Sequence, residues 1–167
     1  GLSSYSLQGD REIINIIKKV GGKIVKGKNG GICAKRTSLM RATDIDASEI
    51  PDLVPILAVL LSFCKGESRI YNAGRLRMKE SDRLAATAGE LSHLGVNITE
   101  GADSLTVIGG QTINCGTVSS RHDHRIAMAL AIAACRAEGD EVRITDAYSA
   151  VKKSYPDFFD VYRELCK

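Results

Sequence analysis

An internal repeat of about 74 residues constrains the fold more than any other feature of this sequence. Residues 69–73 (RIYNA) match residues 143–147 (RITDA) at this offset, and Lys79 falls on Lys153. Three further positions keep the same spacing: Gly21, Ile24 and Gly27 fall on Gly95, Ile98 and Gly101. The offset drops to 73 where Gly66 corresponds to Gly139, as a one-residue insertion would produce. An ordered series of matches indicates one supersecondary unit that is used more than once.

Each copy shows the same order of predicted elements: a helix, two short strands, a buried helix and a strand. Apolar residues at helical spacing predict helices at 13–20 and 84–94 and a third that begins near 158. The predicted strand pairs are 23–26 with 32–35 and 96–100 with 104–108, the buried helices are 53–64 and 126–136, and the closing strands are 67–71 and 141–145. We therefore predict an α/β fold of repeated units.

The chain holds only the back part of a unit at its start and the front of another at its end. It also opens on Gly1 rather than Met. We therefore expect residues 1–167 to form a single, N-terminally truncated domain. With 44% hydrophobic and 26% charged residues, the chain can bury a core.

Composition excludes several classes of protein. The longest apolar run, around residues 56–61, is too short to span a membrane, and we expect no secretory leader. Five cysteines without a CxxC pair argue against a disulfide framework or a four-ligand zinc site and favour a reducing compartment, so we expect a cytoplasmic protein. No nucleotide-binding loop is present, because the Gly/Asn-rich turn at 27–31 is not followed by a helix. Nothing in the pattern requires a metal or an organic cofactor.

Three predicted helix starts carry cations: residues 79–83 (KESDR), 121–125 (RHDHR) and 152–156 (KKSYP). The N-terminus of a helix favours acidic side chains by about 0.3–1 kcal/mol per exposed charge, so this arrangement is unfavourable unless an anion lies among the cations. We predict a convergent site for strongly anionic small molecules. Any single arginine, such as Arg77 or Arg83, is more commonly a solvated surface charge. Asp123, Ser154 and either Ser81 or Asp82 are candidate N-caps.

Two carboxylates lie close to these cations. Glu80 follows Lys79 directly and is a candidate acid or base. Asp52 precedes Pro55, which a helix tolerates only in its first turn, so spacing alone favours Asp52 as an N-cap. It also occupies the position that Arg125 takes 73 residues later, which directs it toward the predicted site. The two roles do not exclude each other.

Four stretches closely resemble the signature motifs of the EPSP synthase (3-phosphoshikimate 1-carboxyvinyltransferase) family, in the family's order: residues 44–52, 76–83 (LRMKESDR), 123–128 (DHRIAM) and 153–159 (KSYPDFF). The resemblance implies two similar domains, each of three βαβαββ units. The present chain matches less than half of such an enzyme, about two units of its C-terminal domain. The N-terminal domain, a partner that supplies further substrate contacts, is absent.

The resemblance further implies transfer of the enolpyruvyl group of phosphoenolpyruvate to the 5-hydroxyl of shikimate 3-phosphate, with release of phosphate and without a metal or cofactor. Asp52 is similar to the carboxylate that contacts the shikimate hydroxyls and accepts a proton, Lys79 to the lysine that contacts shikimate 3-phosphate, and Glu80 to the glutamate that transfers a proton at the methylene carbon. Arg83, Arg125 and Lys153 are similar to the side chains with which the family binds phosphoenolpyruvate. The roles of His122 and Lys152 stay open.

Because the N-terminal domain is missing, we expect the isolated chain to be inactive, and the full-length enzyme to be a monomer that binds neither nucleic acid nor membranes. Two alternatives remain. One is enolpyruvyl transfer to UDP-N-acetylglucosamine, a reaction carried out on the same fold. The other is a non-catalytic domain that binds anions or nucleic acid, which the isoelectric point near 8.6 suggests.

Overall fold

The computed structural model describes residues 7–27, 31–35, 37 and 39–166. The centre of the predicted Gly/Asn-rich turn at 28–30 and the start of the chain at Gly1 lie outside the described residues. Within the described part, the chain forms six α-helices and eight β-strands. The helices are α1 (Ile13–Lys19), α2 (Val54–Ser62), α3 (Arg83–His93), α4 (His124–Ala134), α5 (Ala147–Val151) and α6 (Phe158–Leu165). The strands are β1 (Lys23–Lys26), β2 (Ile32–Lys35), β3 (Ile45–Asp46), β4 (Gly66–Tyr71), β5 (Asn97–Glu100), β6 (Leu105–Gly109), β7 (Ile113–Ser119) and β8 (Ala137–Thr145).

One βαβαββ unit runs through the middle of the chain, in the order β3, α2, β4, α3, β5, β6. Its strands form one sheet in the order β3-β4-β6-β5, in which β3 is parallel to β4 and β6 is antiparallel to both β4 and β5. The hairpin of β1 and β2 precedes this unit, and a parallel pair, β7 and β8, joined through α4, follows it. The predicted α/β fold is confirmed.

The same local features recur 73 or 74 residues apart along the chain. After β3, the amide of Ser48 donates to Asp46 Oδ1 over 3.0 Å, and after β7 the amide of Arg121 donates to Ser119 Oγ over 3.0 Å. The backbone also turns through the left-handed region directly after β4 and after β8, at Asn72 (φ 58°) and Asp146 (φ 55°). Asparagine and aspartate tolerate this conformation better than other residues with a Cβ atom. The sequence repeat thus corresponds to a repeat of local conformation.

Three helices, α2, α3 and α4, pack against one another and against the sheet to form the main core. Seven of the nine residues of α2 are buried, among them Leu57 and Leu61. Burial of a leucine side chain contributes about 1.5–3 kcal/mol, which explains why α2 has no polar face. Pro55 lies in the first turn of α2, where its missing N–H leaves no hydrogen bond unmade. These packed helices fix the positions of the loops that precede them.

The segment after β8 differs from the prediction. A short helix, α5, ends at Val151, so Lys152 and Lys153 follow a helix C-terminus, where positive charge is favoured. The residue that precedes α6 is Asp157, and Ser154 caps no helix. The prediction of a third cation-loaded helix start is therefore wrong. Strands β3 and β7 were also missed.

The helices of the described residues are all too short or too polar to cross a membrane.

Candidate functional site

The site forms where the segments that precede α2, α3 and α4 meet. Asp52 lies in a single 3₁₀ turn, Pro51–Leu53, directly before α2. Lys79 and Glu80 lie between a second 3₁₀ turn, Gly74–Met78, and the start of α3. The third segment ends at the N-cap of α4. We call the charged residues that meet here the Arg83 cluster: Asp52, Lys79, Glu80, Arg83, Asp123 and Arg125.

Arg83 is the centre of the cluster and is almost completely buried, with 1% of its side chain exposed. Its Nε donates to Asp123 Oδ2 over 2.7 Å, its Nη1 to Asp52 Oδ1 over 2.8 Å, and its Nη2 to a carboxylate oxygen of Glu80. A buried guanidinium is costly unless carboxylates pair with it, and here three do so, one through each nitrogen. The alternative prediction that Arg83 is a solvated surface charge is therefore wrong.

Asp52, on the segment before α2, is contacted by cations of the other two segments. Besides Arg83, the Nζ of Lys79 lies 3.4 Å from Asp52 Oδ1, and Arg125 Nη2 lies 3.1 Å from Asp52 Oδ2. Burial opposes ionisation of Asp52, but the positive charges of Arg125, Lys79 and Arg83 outweigh it and hold its pKa below the usual value. Asp52 makes no capping hydrogen bond to α2, because the residue at the N-cap of that helix is Leu53. The prediction that Asp52 caps a helix is therefore wrong.

Asp123 combines a structural and an electrostatic role. It is fully buried, and its Oδ1 accepts the amide N–H of Arg125 over 2.9 Å as the N-cap of α4. Its Oδ2 also accepts the hydroxyl of Ser81 over 3.1 Å. Burial raises its pKa, but hydrogen bonds and the charge of Arg83 outweigh burial and lower the pKa overall. The predicted N-cap at Asp123 is confirmed, as is that at Asp82, which accepts the amide of Ala85 over 3.1 Å.

The Arg83 cluster contains three cations and three carboxylates, so its formal charges cancel. The prediction from sequence was that an anion must lie among the cations at these helix starts. The chain's own carboxylates supply that negative charge. The cations at α3 and α4 therefore do not by themselves require a bound ligand.

Lys153 stays apart from the cluster. It is exposed, and within the described residues its side chain joins no ion pair. Its neighbour Lys152 is exposed too, at the C-terminal end of α5. His122 leaves 82% of its side chain exposed and contacts Asp146, with 3.2 Å between Nδ1 and Oδ2. The structure thus brings five of the six predicted site residues together and leaves out Lys153.

Sequence reasoning missed the part that Arg77 plays. Its Nε donates to the carbonyl of Ala102 over 2.9 Å and its Nη2 to the carbonyl of Gly101 over 2.7 Å. Its Nη1 pairs with Asp82 at 2.8 Å and with Glu100 at 2.7 Å. Arg77 therefore joins the segment that carries Lys79 and Glu80 to the β5–β6 turn. Its place inside the stretch LRMKESDR was the only signal in the sequence.

A cavity of about 230 Å³ opens beside the cluster. Asp52 and Arg125 line it on one side, and apolar side chains of α2 and α4, including Ile56, Met128 and Ile132, form the rest. Such a cavity offers one charged wall to a small molecule. Within the described ranges, no group of three or more His, Cys, Asp or Glu side chains is arranged to hold a metal ion.

Residues 1–162 match the family model of EPSP synthase (3-phosphoshikimate 1-carboxyvinyltransferase). The 3-phosphoshikimate 1-carboxyvinyltransferase of Brachyspira hyodysenteriae is 42% identical over 165 residues, which are 99% of this chain and 39% of that protein. The enzyme of the same name from Clostridium novyi is 47% identical over 160 residues, which are 96% of this chain and 36% of that protein.

Solved structures agree with this result. An EPSP synthase from Acinetobacter baumannii superimposes with a TM-score of 0.79 at 25% identity, over 91% of this chain and 38% of that one. The enolpyruvyl transferase NikO from Streptomyces tendae, at 21% identity, shares the fold with a TM-score of 0.76 over 93% of this chain and 35% of that one. The fold is that of the enolpyruvyl transferases. Within that class, the chain belongs to the EPSP synthase family, and it spans well under half the length of these relatives.

Proposed function

We propose that this chain is part of an enzyme that transfers the enolpyruvyl group of phosphoenolpyruvate to the 5-hydroxyl of shikimate 3-phosphate and releases phosphate. The Arg83 cluster is the observation that carries the proposal, because it joins residues of three of the four family-like stretches in one place. Membership of the EPSP synthase family and the names of the relatives support the same reaction.

Exposure divides the proposed substrate contacts into two groups. Lys79 and Arg125 each leave about a third of the side chain exposed, so they can turn from Asp52 to an incoming anion. A guanidinium fork suits a carboxylate or phosphate, and an ammonium suits a phosphate oxygen. Arg83 is buried beneath its three carboxylates and reaches phosphoenolpyruvate only after one of them moves. Glu80 is the most exposed of the three carboxylates, so we propose that it is the one that moves away from Arg83.

Asp52 is proposed to accept the proton of the 5-hydroxyl group. In the free chain three cations lower its pKa and make it a weak base. Bound phosphate and carboxylate groups would draw Lys79 and Arg125 away from Asp52, and its pKa would then rise toward the range of an effective base. Binding of the two anionic substrates would in this way activate the group that starts the reaction.

Glu80 is proposed to transfer a proton to the methylene carbon as the hydroxyl oxygen attacks the adjacent carbon of phosphoenolpyruvate. The resulting tetrahedral intermediate loses phosphate, and loss of a proton from the new methyl group regenerates the double bond. The positive charges of Lys79, Arg83 and Arg125 would stabilise the negative charge of the intermediate. Lys153 is proposed as a further contact to phosphoenolpyruvate, which it would make once substrate is present.

The remainder of the enzyme is proposed to complete the site. Because the chain spans 39% and 36% of the two relatives above, we propose that it is inactive alone and that an N-terminal domain supplies the other contacts. We further propose that the complete enzyme is a cytoplasmic monomer. The five free cysteines support a reducing compartment.

The alternatives have less support. The relatives are named for transfer to shikimate 3-phosphate, so transfer to UDP-N-acetylglucosamine is not favoured. A domain that binds nucleic acid presents an excess of cations to the phosphates. The formal charges of the Arg83 cluster cancel, and the match of residues 1–162 to the EPSP synthase family favours an enzyme over that function.

A hybrid enzyme tests the proposal. The chain is fused to the N-terminal portion of the Clostridium novyi relative, and phosphate release is measured with phosphoenolpyruvate and shikimate 3-phosphate. We expect release that requires both substrates, and none from the chain alone. A folded hybrid that releases no phosphate, or that prefers UDP-N-acetylglucosamine as acceptor, would contradict the proposal.

A further inference from the structure

Two cysteines face each other at the far end of α4 from the Arg83 cluster. Cys135 follows the last residue of α4 and Cys166 follows the last residue of α6, and both are exposed. Their sulfur atoms lie 3.6 Å apart, although 31 residues separate them in the chain. A disulfide needs about 2.05 Å between the sulfur atoms, so a shift of about 1.5 Å is enough to bring them into bonding distance.

The surroundings hold this pair in place. The carbonyl of Tyr162 accepts the amide N–H of Cys166 over 3.0 Å, and the hydroxyl of Tyr162 lies 3.4 Å from the sulfur of Cys135. The other three cysteines of the chain form no such pair among the described residues. Cys64 is buried, and burial raises its pKa to about 11, whereas Cys33 is exposed but solitary. Among the described cysteines, only Cys135 and Cys166 are both exposed and in contact with a second thiol.

We propose that Cys135 and Cys166 are an oxidation-sensitive dithiol site, which a peroxide converts to a disulfide between α4 and α6. One thiolate attacks a peroxide oxygen, the O–O bond breaks, and a sulfenic acid and water form. The second thiol then attacks the sulfenic sulfur, and a second water leaves as the S–S bond forms. Two thiols are oxidised by two electrons and one hydrogen peroxide is reduced to two waters. This inference does not depend on the proposed function.

The disulfide would fasten an element that few contacts hold. No residue of α6 is fully buried, and its packing rests on Phe158 and Phe159, which contact the small apolar cluster formed with α5. A covalent link between the ends of α4 and α6 removes freedom from the unfolded chain and so stabilises the folded one. The hydrogen bond with Cys135 raises the pKa of Cys166, so less of this thiol is ionised near neutral pH. Because the thiolate is the reactive form, oxidation is expected to accelerate as the pH rises.

Peroxide treatment of the chain tests the proposal. After a few equivalents of hydrogen peroxide and alkylation of the remaining thiols, we expect a monomer that has lost two hydrogen atoms and two alkylation sites. Peptide mapping should then join Cys135 to Cys166, and the melting temperature should rise by about 5 °C or more.

Three variants serve as controls. Cys135→Ser and Cys166→Ser should each abolish the crosslink and the rise in melting temperature, whereas Cys33→Ser should leave both unchanged. The reduced forms of all three should melt close to the unmodified chain, because the substituted residues are exposed. A crosslink between two molecules, a disulfide through another cysteine, or separate oxidation of the two sulfurs without a link would overturn the proposal.

Discussion

The two basic segments 79–83 and 152–156 look alike in the sequence but lie in opposite environments. In the first, Arg83 is buried and bound by three carboxylates, two of which come from other segments of the chain. In the second, Lys152 and Lys153 follow a short helix and remain exposed. The difference teaches that a basic segment forms a buried, ordered site only where carboxylates from other parts of the chain pair with its cations.

Removal of the carboxylate of Asp123 should give the largest loss of stability. Asp123→Ala leaves the buried guanidinium of Arg83 without one partner and removes the N-cap of α4, so we expect a loss of about 3–5 kcal/mol in the free energy of unfolding by urea. Asp160→Ala, which removes an exposed partner of Arg163, is the control and should change it by less than about 0.5 kcal/mol. Equal effects would show that burial does not distinguish these pairs.

Acid should have the second-largest effect on the stability that the cluster contributes. The pKa values of Asp52 and Asp123 are lowered in the folded chain, so the unfolded chain binds more protons just below its ordinary carboxyl pKa of about 3.9. The stability they contribute is complete above that value and is lost as the pH falls through the lower, folded-state pKa. Urea unfolding between about pH 2 and pH 6 measures this slope. We expect a shallower slope for Asp123→Asn, and an unchanged slope would contradict the account.

Truncation of Arg77 should have an intermediate effect. Arg77→Ala frees the segment that carries Lys79 and Glu80 from the carbonyls of Gly101 and Ala102. We expect a fall of a few degrees in melting temperature, smaller than that of Asp123→Ala, and faster hydrogen exchange in residues 74–82. Arg75→Ala is the matched control, since Arg75 is an exposed arginine on the same 3₁₀ turn. Equal rates of hydrogen exchange in the two variants would contradict the proposal that Arg77 positions this segment.

Lys153 should matter least for stability. Because it is exposed and joins no ion pair within the described residues, Lys153→Ala should change the free energy of unfolding by less than about 0.5 kcal/mol. In the hybrid enzyme the same substitution should raise the KM for phosphoenolpyruvate about tenfold, the effect of losing one ionic hydrogen bond of about 1.4 kcal/mol. A loss of stability comparable to that of Asp123→Ala would contradict the claim that only the segment 79–83 is stabilised by buried ion pairs.

Local patterns predicted much of the fold and little of the cluster's geometry. The helix at 84–94 and the strands at 23–26 and 32–35 follow from apolar spacing and turn residues close in sequence, and they correspond to α3, β1 and β2. The strand β7 was missed because Cys115, Gly116 and Thr117 interrupt its apolar pattern. The five-residue helix α5 is too short to show a helical period.

The N-caps at Asp82 and Asp123 were predictable because capping acts over two or three residues. The contacts of Arg83 were not, since Asp52 and Asp123 lie 31 and 40 residues away in the chain. Which carboxylates reach a cation is decided by how α2, α3 and α4 pack. The same holds for Cys135 and Cys166, which only the packing of α6 brings together.

The central claim is that the Arg83 cluster forms part of an active site in which Asp52 acts on the reacting hydroxyl group. The most direct test is the kcat of the hybrid enzyme with Asp52→Asn, beside a matched control, Glu141→Gln, which changes an exposed carboxylate outside the cluster. We predict a fall of about 100-fold or more for Asp52→Asn and no change for the control, with both variants folded. An Asp52→Asn hybrid that keeps its full kcat would contradict the account.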